Sequence, residues 1–246
     1  MTEFEREVAD RIAANGTDEP LQATARDFMT ASIAARYSYN FSWLGRPIIQ
    51  YPQDIVAMQE LIWSLQPDLI VETGIAHGGS LIFSASMLEL NAGCGGPQGA
   101  RVVGVDIDIR AHNRAAIEAH PMMRRITMIE GSSVAPQVVA AIRAHTVGRK
   151  TVLVCLDSNH THDHVLAELE AYAPMTTVGS YCVVFDTVVE DLPKALSGDR
   201  PWGPGDNPKT AARRFLAAHP EFEIDRRFDR QLLIGVAPEG YLKRVR

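Results

Sequence analysis

Cysteine is scarce in this 246-residue chain: there are three, at positions 94, 155 and 182, with no C-x-x-C pair among them. That excludes a disulfide framework and a cysteine-ligated metal, and it fits a chain kept in a reducing compartment. Positive charge is also in deficit, 24 Lys and Arg against 30 Asp and Glu, for a formal net charge of −6. Nucleic acid and anionic membranes are bound through clustered Lys and Arg, so neither is expected as the main partner. No stretch reaches the ~18 apolar residues of a membrane span. The opening MTEFEREVADRIAANG is polar and acidic where a secretory signal would start basic and turn apolar. A cytoplasmic location is therefore expected. Internal repeats and low-complexity tracts are missing too, and 46% hydrophobic residues supply enough apolar surface to offset the entropy of ordering the chain. The length suits one full-size α/β domain with additions.

Residues 1 to 36 carry Phe4, Val8, Ile12 and then Leu21, Ala25 and Phe28 at helical spacing, with a break at Asn15-Gly16. The stretch from Tyr37 to Asp54 is aromatic, holds two prolines and reads as a loop packed across a surface. Residues 1–54 thus form an N-terminal extension, a lid or an oligomer arm, ahead of an α/β catalytic unit over 55–246. That unit begins with a helix through Ile55, Met58, Leu61, Ile62 and Leu65, which Pro67 stops. Five apolar runs follow, LIVETG (69–74), RVVGVDID (101–108), RITMIEGSS (125–133), TVLVCLD (151–157) and SYCVVFD (180–186), each separated from the next by a helical pattern. They predict a parallel sheet with helices on both faces. Residues 187–209 are rich in Gly, Pro and Asp and contain Trp202, the composition of a lid loop. After a helix over AARRFLAAHP, the runs FEIDRRF and QLLIGVAP predict an antiparallel edge hairpin with no helix between its strands. The expected fold is a Rossmann-like sandwich with a mostly parallel seven-stranded sheet.

In an open parallel sheet the ligand lies beyond the carboxyl ends of the strands, where strand order reverses. The strand-end residues Glu72, Asp106, Glu130 to Ser133, Asp157 and Asp186 are therefore the candidate site. The first turn reads VETGIAHGGS, in which Gly74 allows close backbone approach and Gly78 and Gly79 keep the turn narrow. Its G-x-x-x-G-G spacing departs from the dinucleotide fingerprint G-x-G-x-x-G. Glu72, two residues before the first glycine, would repel a pyrophosphate and attract an ammonium or sulfonium, which favours S-adenosylmethionine over NAD. A plain β-to-α turn with packing glycines is the bland alternative. Asp106 ends the second strand, where ribose hydroxyls are held; Asp108 reads as a helix cap. Ser132 and Ser133 either contact an adenine or cap a helix.

The run DSNHTHDH places two carboxylates and three imidazoles within Asp157 to His164. Asp157 and Asp186, on neighbouring strand ends, suit a hard divalent cation such as Mg2+. A zinc site would want three convergent nitrogen or sulfur donors, and only His160 and His164 stand at i, i+4. Helix capping by Asp157 or Asn159, with solvated histidines, is the alternative. With a metal present, His160 is placed to act as general base on a hydroxyl.

The blocks LIVETGIAHGGSL, GVDID, CLDSNH and VVFD resemble the cephalosporin hydroxylase / rhamnosyl O-methyltransferase family, from about Pro52 to Val189. The resemblance implies an S-adenosylmethionine-dependent methyltransferase fold and Mg2+-dependent sugar O-methylation. It would put Glu72, Gly74, Gly78 and Ser80 at the methionine and ribose end, Asp106 on the ribose, and Asp157 with Asp186 on the metal. Relatives often carry Glu-Asp at the end of the fifth strand where this chain has Phe185-Asp186, so Thr187, Asn159 or water would supply the third ligand. The implied chemistry is in-line displacement, a sugar hydroxyl deprotonated by His160 attacking the sulfonium methyl. The acceptor would belong to a surface polysaccharide, a glycolipid or a small glycoside. Trp202, Tyr37, Tyr39 and Trp43 either stack on sugar faces or pack onto the core. The family's other name suggests an iron and 2-oxoglutarate hydroxylase, which needs two histidines and a carboxylate; the one H-x-E match is His219-Pro220-Glu221, at a helix end. A non-catalytic nucleoside-binding module would use Glu72 and Asp106 and leave Asp157, His160 and Asp186 replaceable. The N-terminal helices and edge strands suggest a homo-oligomer, a dimer or larger.

Overall fold

A computed structural model describes residues 1–246. The chain opens with two helices, α1 (Glu3–Asn15) and α2 (Glu19–Ala34). A capping box between Thr2 and Glu5 starts the first, and the Asp18 carboxylate accepting from the Leu21 N–H starts the second. In place of the expected loop over Tyr37 to Asp54 there is a small antiparallel hairpin of β1 (Phe41–Trp43) and β2 (Arg46–Ile48). Leu44 and Gly45 turn it with φ of 45° and 86°, the left-handed pair that a two-residue hairpin turn requires. Three-residue strands with a non-glycine at the first turn position leave little trace in a sequence.

The expected alternation then follows: α3 (Pro52–Leu65), β3 (Leu69–Thr73), α4 (Gly79–Gly93), β4 (Arg101–Asp106), α5 (Ala111–Glu118), β5 (Ile126–Glu130), α6 (Pro136–Thr146), β6 (Val152–Leu156), α7 (His162–Tyr172) and β7 (Tyr181–Val184). After the segment 187–207 come α8 (Pro208–Ala218), β8 (Phe222–Ile224), α9 (Arg227–Leu232) and β9 (Tyr241–Arg244). The seven-stranded sheet has the order β5-β4-β3-β6-β7-β9-β8, its first five members parallel and β9 antiparallel to both neighbours. Alternate residues of β3 face opposite ways. Ile70 joins the apolar layer under α3 and α4, while Leu69 and Val71 join the layer with Val138 of α6, Leu169 of α7 and Phe215 of α8. Both faces are covered, which is why these strands read as unbroken apolar runs. Chain order reverses between β3 and β6, so their carboxyl ends mark where a ligand belongs.

The C-terminal expectation needs correcting. The edge hairpin exists, but α9 separates its strands, and the last strand is Tyr241–Arg244 rather than QLLIGVAP. Asp225 Oδ1 accepts from the Arg227 N–H at the start of α9, and Phe228 is fully buried one turn before Leu232. The apolar run after α9 cannot stay extended, because Leu233 turns at φ 59° and the Val236 N–H is taken by the Asp54 carboxylate at 3.0 Å. No helix is long and apolar enough to cross a membrane.

Candidate active site

Between β3 and α4 the glycine loop sits against the end of β6. Gly74 has φ +88°, and any side chain there would strike the Asp157 carbonyl. Asp106, at the end of β4, accepts from the Ile75 and Ala76 N–H groups at 2.8 and 3.1 Å, so its carboxylate fixes the loop's shape. The β1–β2 hairpin crosses above this turn as a strap. A side chain at Gly79 would collide with the Pro47 carbonyl, and the Arg46 guanidinium donates to the His77 carbonyl at 2.6 and 3.0 Å and to Asn113 Oδ1 at 2.9 Å. Beneath the loop Glu72 is buried and accepts from the Ser80 hydroxyl. Burial pushes its carboxyl up to about 7, against the pull of Ser80 and Ser84.

Asp157 and Asp186 follow β6 and β7, and His160 lies on the loop after β6. One donor atom from each of the three lies within 4.8 Å of the others. His160 Nε2 is 3.2 Å from Asp186 Oδ2, and the Gln50 amide donates to Asp157 Oδ2 at 3.3 Å. Burial drives the Asp157 carboxyl well above the usual carboxylate range, and its charged neighbours Asp186, Glu72, Glu168 and Asp54 push the same way. A buried group of carboxylates that raise one another's pKa is electrostatically costly, and a divalent cation is the direct remedy. Both side chains expected as a third ligand make hydrogen bonds within the protein. The Thr187 hydroxyl donates to the Pro238 carbonyl, and Asn159 Oδ1 accepts from Thr161. Phe185 is buried in the core, and His160 is the third side chain gathered with Asp157 and Asp186.

The other two histidines of DSNHTHDH point elsewhere. His162 Nδ1 pairs with the Thr210 hydroxyl at 2.7 Å while the His162 backbone N–H donates to Asp206 Oδ1 at 2.6 Å, tying α7 to α8 and the lid segment. His164 lies against the hydroxyls of Ser133 and Ser158 and beside Glu168. The three imidazoles therefore do not converge on a zinc site.

A cleft of about 960 Å³ brings together Gly74, Gly79, Ser80, Asp157, His160 and Asp186. The remaining predicted site residues do not line it: Glu72 accepts from Ser80, Asp106 from the loop N–H groups, Gly78 lies against Ile117, Ser133 lies on His164, and Ser132 is half-buried. Among the aromatics, Tyr39 and Trp202 face the cleft, with the Trp202 ring edge-on to His160 at 5.0 Å. Tyr37 packs among Phe28, Phe41 and Tyr51, and Trp43 packs on Phe83. His219 pairs with Glu221 and Glu170 away from the cleft, one imidazole with two carboxylates rather than two imidazoles with one. Sequence reasoning missed Gln50, whose one signal is a polar residue inside the apolar run Ile48-Ile49-Gln50-Tyr51.

The model of the rhamnosyl O-methyltransferase/CmcI family matches residues 35–245. A rhamnosyl O-methyltransferase of Mycobacterium leprae (strain TN) is 31% identical over 155 residues, and the match spans 62% of each chain, a little under two thirds of that relative. One from Mycobacterium bovis (strain BCG / Pasteur 1173P2) is 28% identical over 196 residues, covering 78% of this chain and 73% of the relative. An apo structure of CmcI superposes with a TM-score of 0.59 at 18% identity, covering 85% of this chain and 77% of that one. A CmcI structure described as Mg-SAM gives 0.58 over 85% and 78%. The two superpositions confirm the fold, and the family model, running from the end of α2 through β9, shows that this chain belongs to the rhamnosyl O-methyltransferase/CmcI family.

Proposed function

We propose that the protein is an S-adenosylmethionine-dependent O-methyltransferase that uses Mg2+ or another divalent cation and acts on a sugar hydroxyl, rhamnose being the first acceptor to try. The observation that carries this reading is the meeting of Asp157, His160 and Asp186 beside the glycine loop at the switch point of the sheet. The residues present fit both groups: the two carboxylates Asp157 and Asp186 suit a hard cation, and the buried Glu72 beneath Ser80 suits the positively charged end of the cofactor. When bound, the cofactor supplies an electrophilic methyl and the cation lowers the pKa of the hydroxyl it polarises.

The chain's own residues divide the remaining work. Gly74, Gly78, Gly79, Ser80 and Glu72 shape the methionine end, Asp106 and the loop it fixes face the ribose, and Ser132 with Ser133 borders the adenine end. Asp157 and Asp186 hold the cation. His160 takes the hydroxyl proton on the ring nitrogen turned away from Asp186, and Asp186, 3.2 Å from Nε2, stabilises the imidazolium that results. The Trp202 edge fixes the imidazole plane, and Tyr39 and Trp202 offer aromatic walls to a sugar ring. The segment 187–209 closes one side of the cleft: Glu190 accepts from Gly205 and Asn207, and Lys209 pairs with Asp191. The β1–β2 hairpin within residues 1–54 acts as a strap over the cofactor end. We place the reaction in the cytoplasm, in a homo-oligomer, on acceptors destined for a polysaccharide or glycolipid or on small glycosides. The test is to incubate the protein with methyl-labelled S-adenosylmethionine, Mg2+ and a panel of glycosides. Label is expected in rhamnosides, and failure of S-adenosylhomocysteine to bind by calorimetry would sink the reading.

A further inference from the structure

A second, much smaller cavity of about 30 Å³ lies beside the cleft. It shares Ile48, Gln50, Ser80 and Asp157 with the cleft, so the two lie on either side of those side chains. Its size admits one or two waters or a small group of similar bulk, since a single water needs about 10–15 Å³ of such space. The polar lining consists of Gln50, Asp54, Glu72, Ser80, Ser84 and Asp157. Three of these are carboxyls, the Ser80 hydroxyl already donates to Glu72, and the Gln50 amide N–H already donates to Asp157. What is left over is acceptor capacity. Gln50 Oε1 and Asp54 Oδ1 are buried with no hydrogen-bond partner, on side chains only 7% and 1% exposed. Orphaned acceptors at that depth cost free energy unless a donor arrives.

Both orphans belong to the strap and the first turn of α3 rather than to the sheet. Gln50 follows β2, and Asp54 is held by accepting the Val236 N–H through its other oxygen. An ammonium carries several N–H donors and a positive charge and has the bulk of a water. A carboxylate or phosphate would be repelled by the same wall. We infer that Gln50 and Asp54 are cofactor-binding residues, completing an ammonium subsite in which Gln50 Oε1 and Asp54 Oδ1 accept from the α-amino group of the cofactor's methionine end. The inference rests on the methyltransferase reading. It adds that the strap recognises the amino group as well as covering it, and that Gln50 bridges the cofactor end and the cation end through Asp157.

The test is calorimetric titration, with Mg2+ present, of S-adenosylhomocysteine and of its analogue in which hydrogen replaces the α-amino group. Wild-type protein, Gln50→Leu and Asp54→Asn are compared. Wild type is expected to prefer S-adenosylhomocysteine, Gln50→Leu to bind it about tenfold more weakly, and the deaminated analogue to bind wild type and variant equally within about twofold. Equal loss for both ligands would show that Gln50 only holds Asp157 in place and would overturn the proposal, as would equal affinity of wild type for the two ligands. Thermal melting identifies a variant that fails to fold; if Asp54→Asn does, Gln50→Leu decides alone. A structure of the S-adenosylhomocysteine complex reads the same point without mutation: the amine nitrogen within hydrogen-bonding distance of Gln50 Oε1 supports the proposal, and a lone water in the cavity overturns it. Wild type binding neither ligand would instead overturn the methyltransferase reading itself.

Discussion

Glu72 carries a carboxyl whose ordinary value of 4.5 rises to about 7 on burial, and the sign of the consequence is fixed. Below pH 4.5 the group is protonated in the folded and unfolded chains alike. Between 4.5 and about 7 the unfolded chain gives up the proton and the folded one keeps it, so stability falls across that window, by about 3 kcal/mol at 1.36 kcal/mol per pH unit, and levels off above it. Asp54, raised from 3.8 to about 7, acts in the same direction. Urea unfolding of the metal-free protein between about pH 5 and 8 should show the decline, and Glu72→Gln should make it shallower, leaving the share that belongs to Asp54. A wild-type curve that rises over this range would contradict the burial argument. His160→Gln, argued to remove the proton acceptor, should lower kcat by about 10² to 10⁴ while leaving S-adenosylhomocysteine affinity within about twofold. Asp157→Asn should abolish cation binding by calorimetry, and it should raise the melting temperature of the metal-free protein near neutral pH, because an amide, unlike this buried carboxyl, has no proton to take up on folding. The strand-end carboxylates were legible in the sequence because each closes an apolar run. The burial of Asp54 was not, since an acid in the first turn of a helix ordinarily faces solvent.

At the scale of elements, the strap explains why Gly79 must be glycine. A methyl there meets the Pro47 carbonyl, so Gly79→Ala should lift the hairpin, cost about 1 to 3 kcal/mol and raise the KM for S-adenosylmethionine. Gly93→Ala, at the open end of the same helix, meets nothing within 4 Å and should leave both unchanged. The five parallel strands could be read from sequence because both sheet faces are covered, which makes their runs apolar throughout. The hairpin and α9 could not. The hairpin's strands are three residues long, and α9 is six residues whose Phe228 and Leu232 also fit an alternating pattern with their neighbours. QLLIGVAP looks like a strand by hydropathy alone, and a hydrogen bond from Val236 to Asp54, 182 residues away in sequence, keeps it irregular.

Across the whole molecule, the net charge of −6 matters less than where the acids gather. Asp54, Glu72, Asp157 and Asp186 come from segments far apart in the chain and face one small region, where Gln50 reaches Asp157 across 107 residues of sequence. Topology placed the strand-end members of that group in advance, because the switch point of a parallel sheet is fixed by strand order. The strap members depend on how residues 1–54 fold back over the sheet, and no periodicity in the sequence encodes that path. The most direct measurement is the rate of methyl transfer from labelled S-adenosylmethionine to a simple rhamnoside, taken after EDTA treatment and again after Mg2+ is restored. Transfer that disappears with EDTA and returns with Mg2+ is the predicted result, and transfer that proceeds unchanged in EDTA would contradict the role given to Asp157 and Asp186.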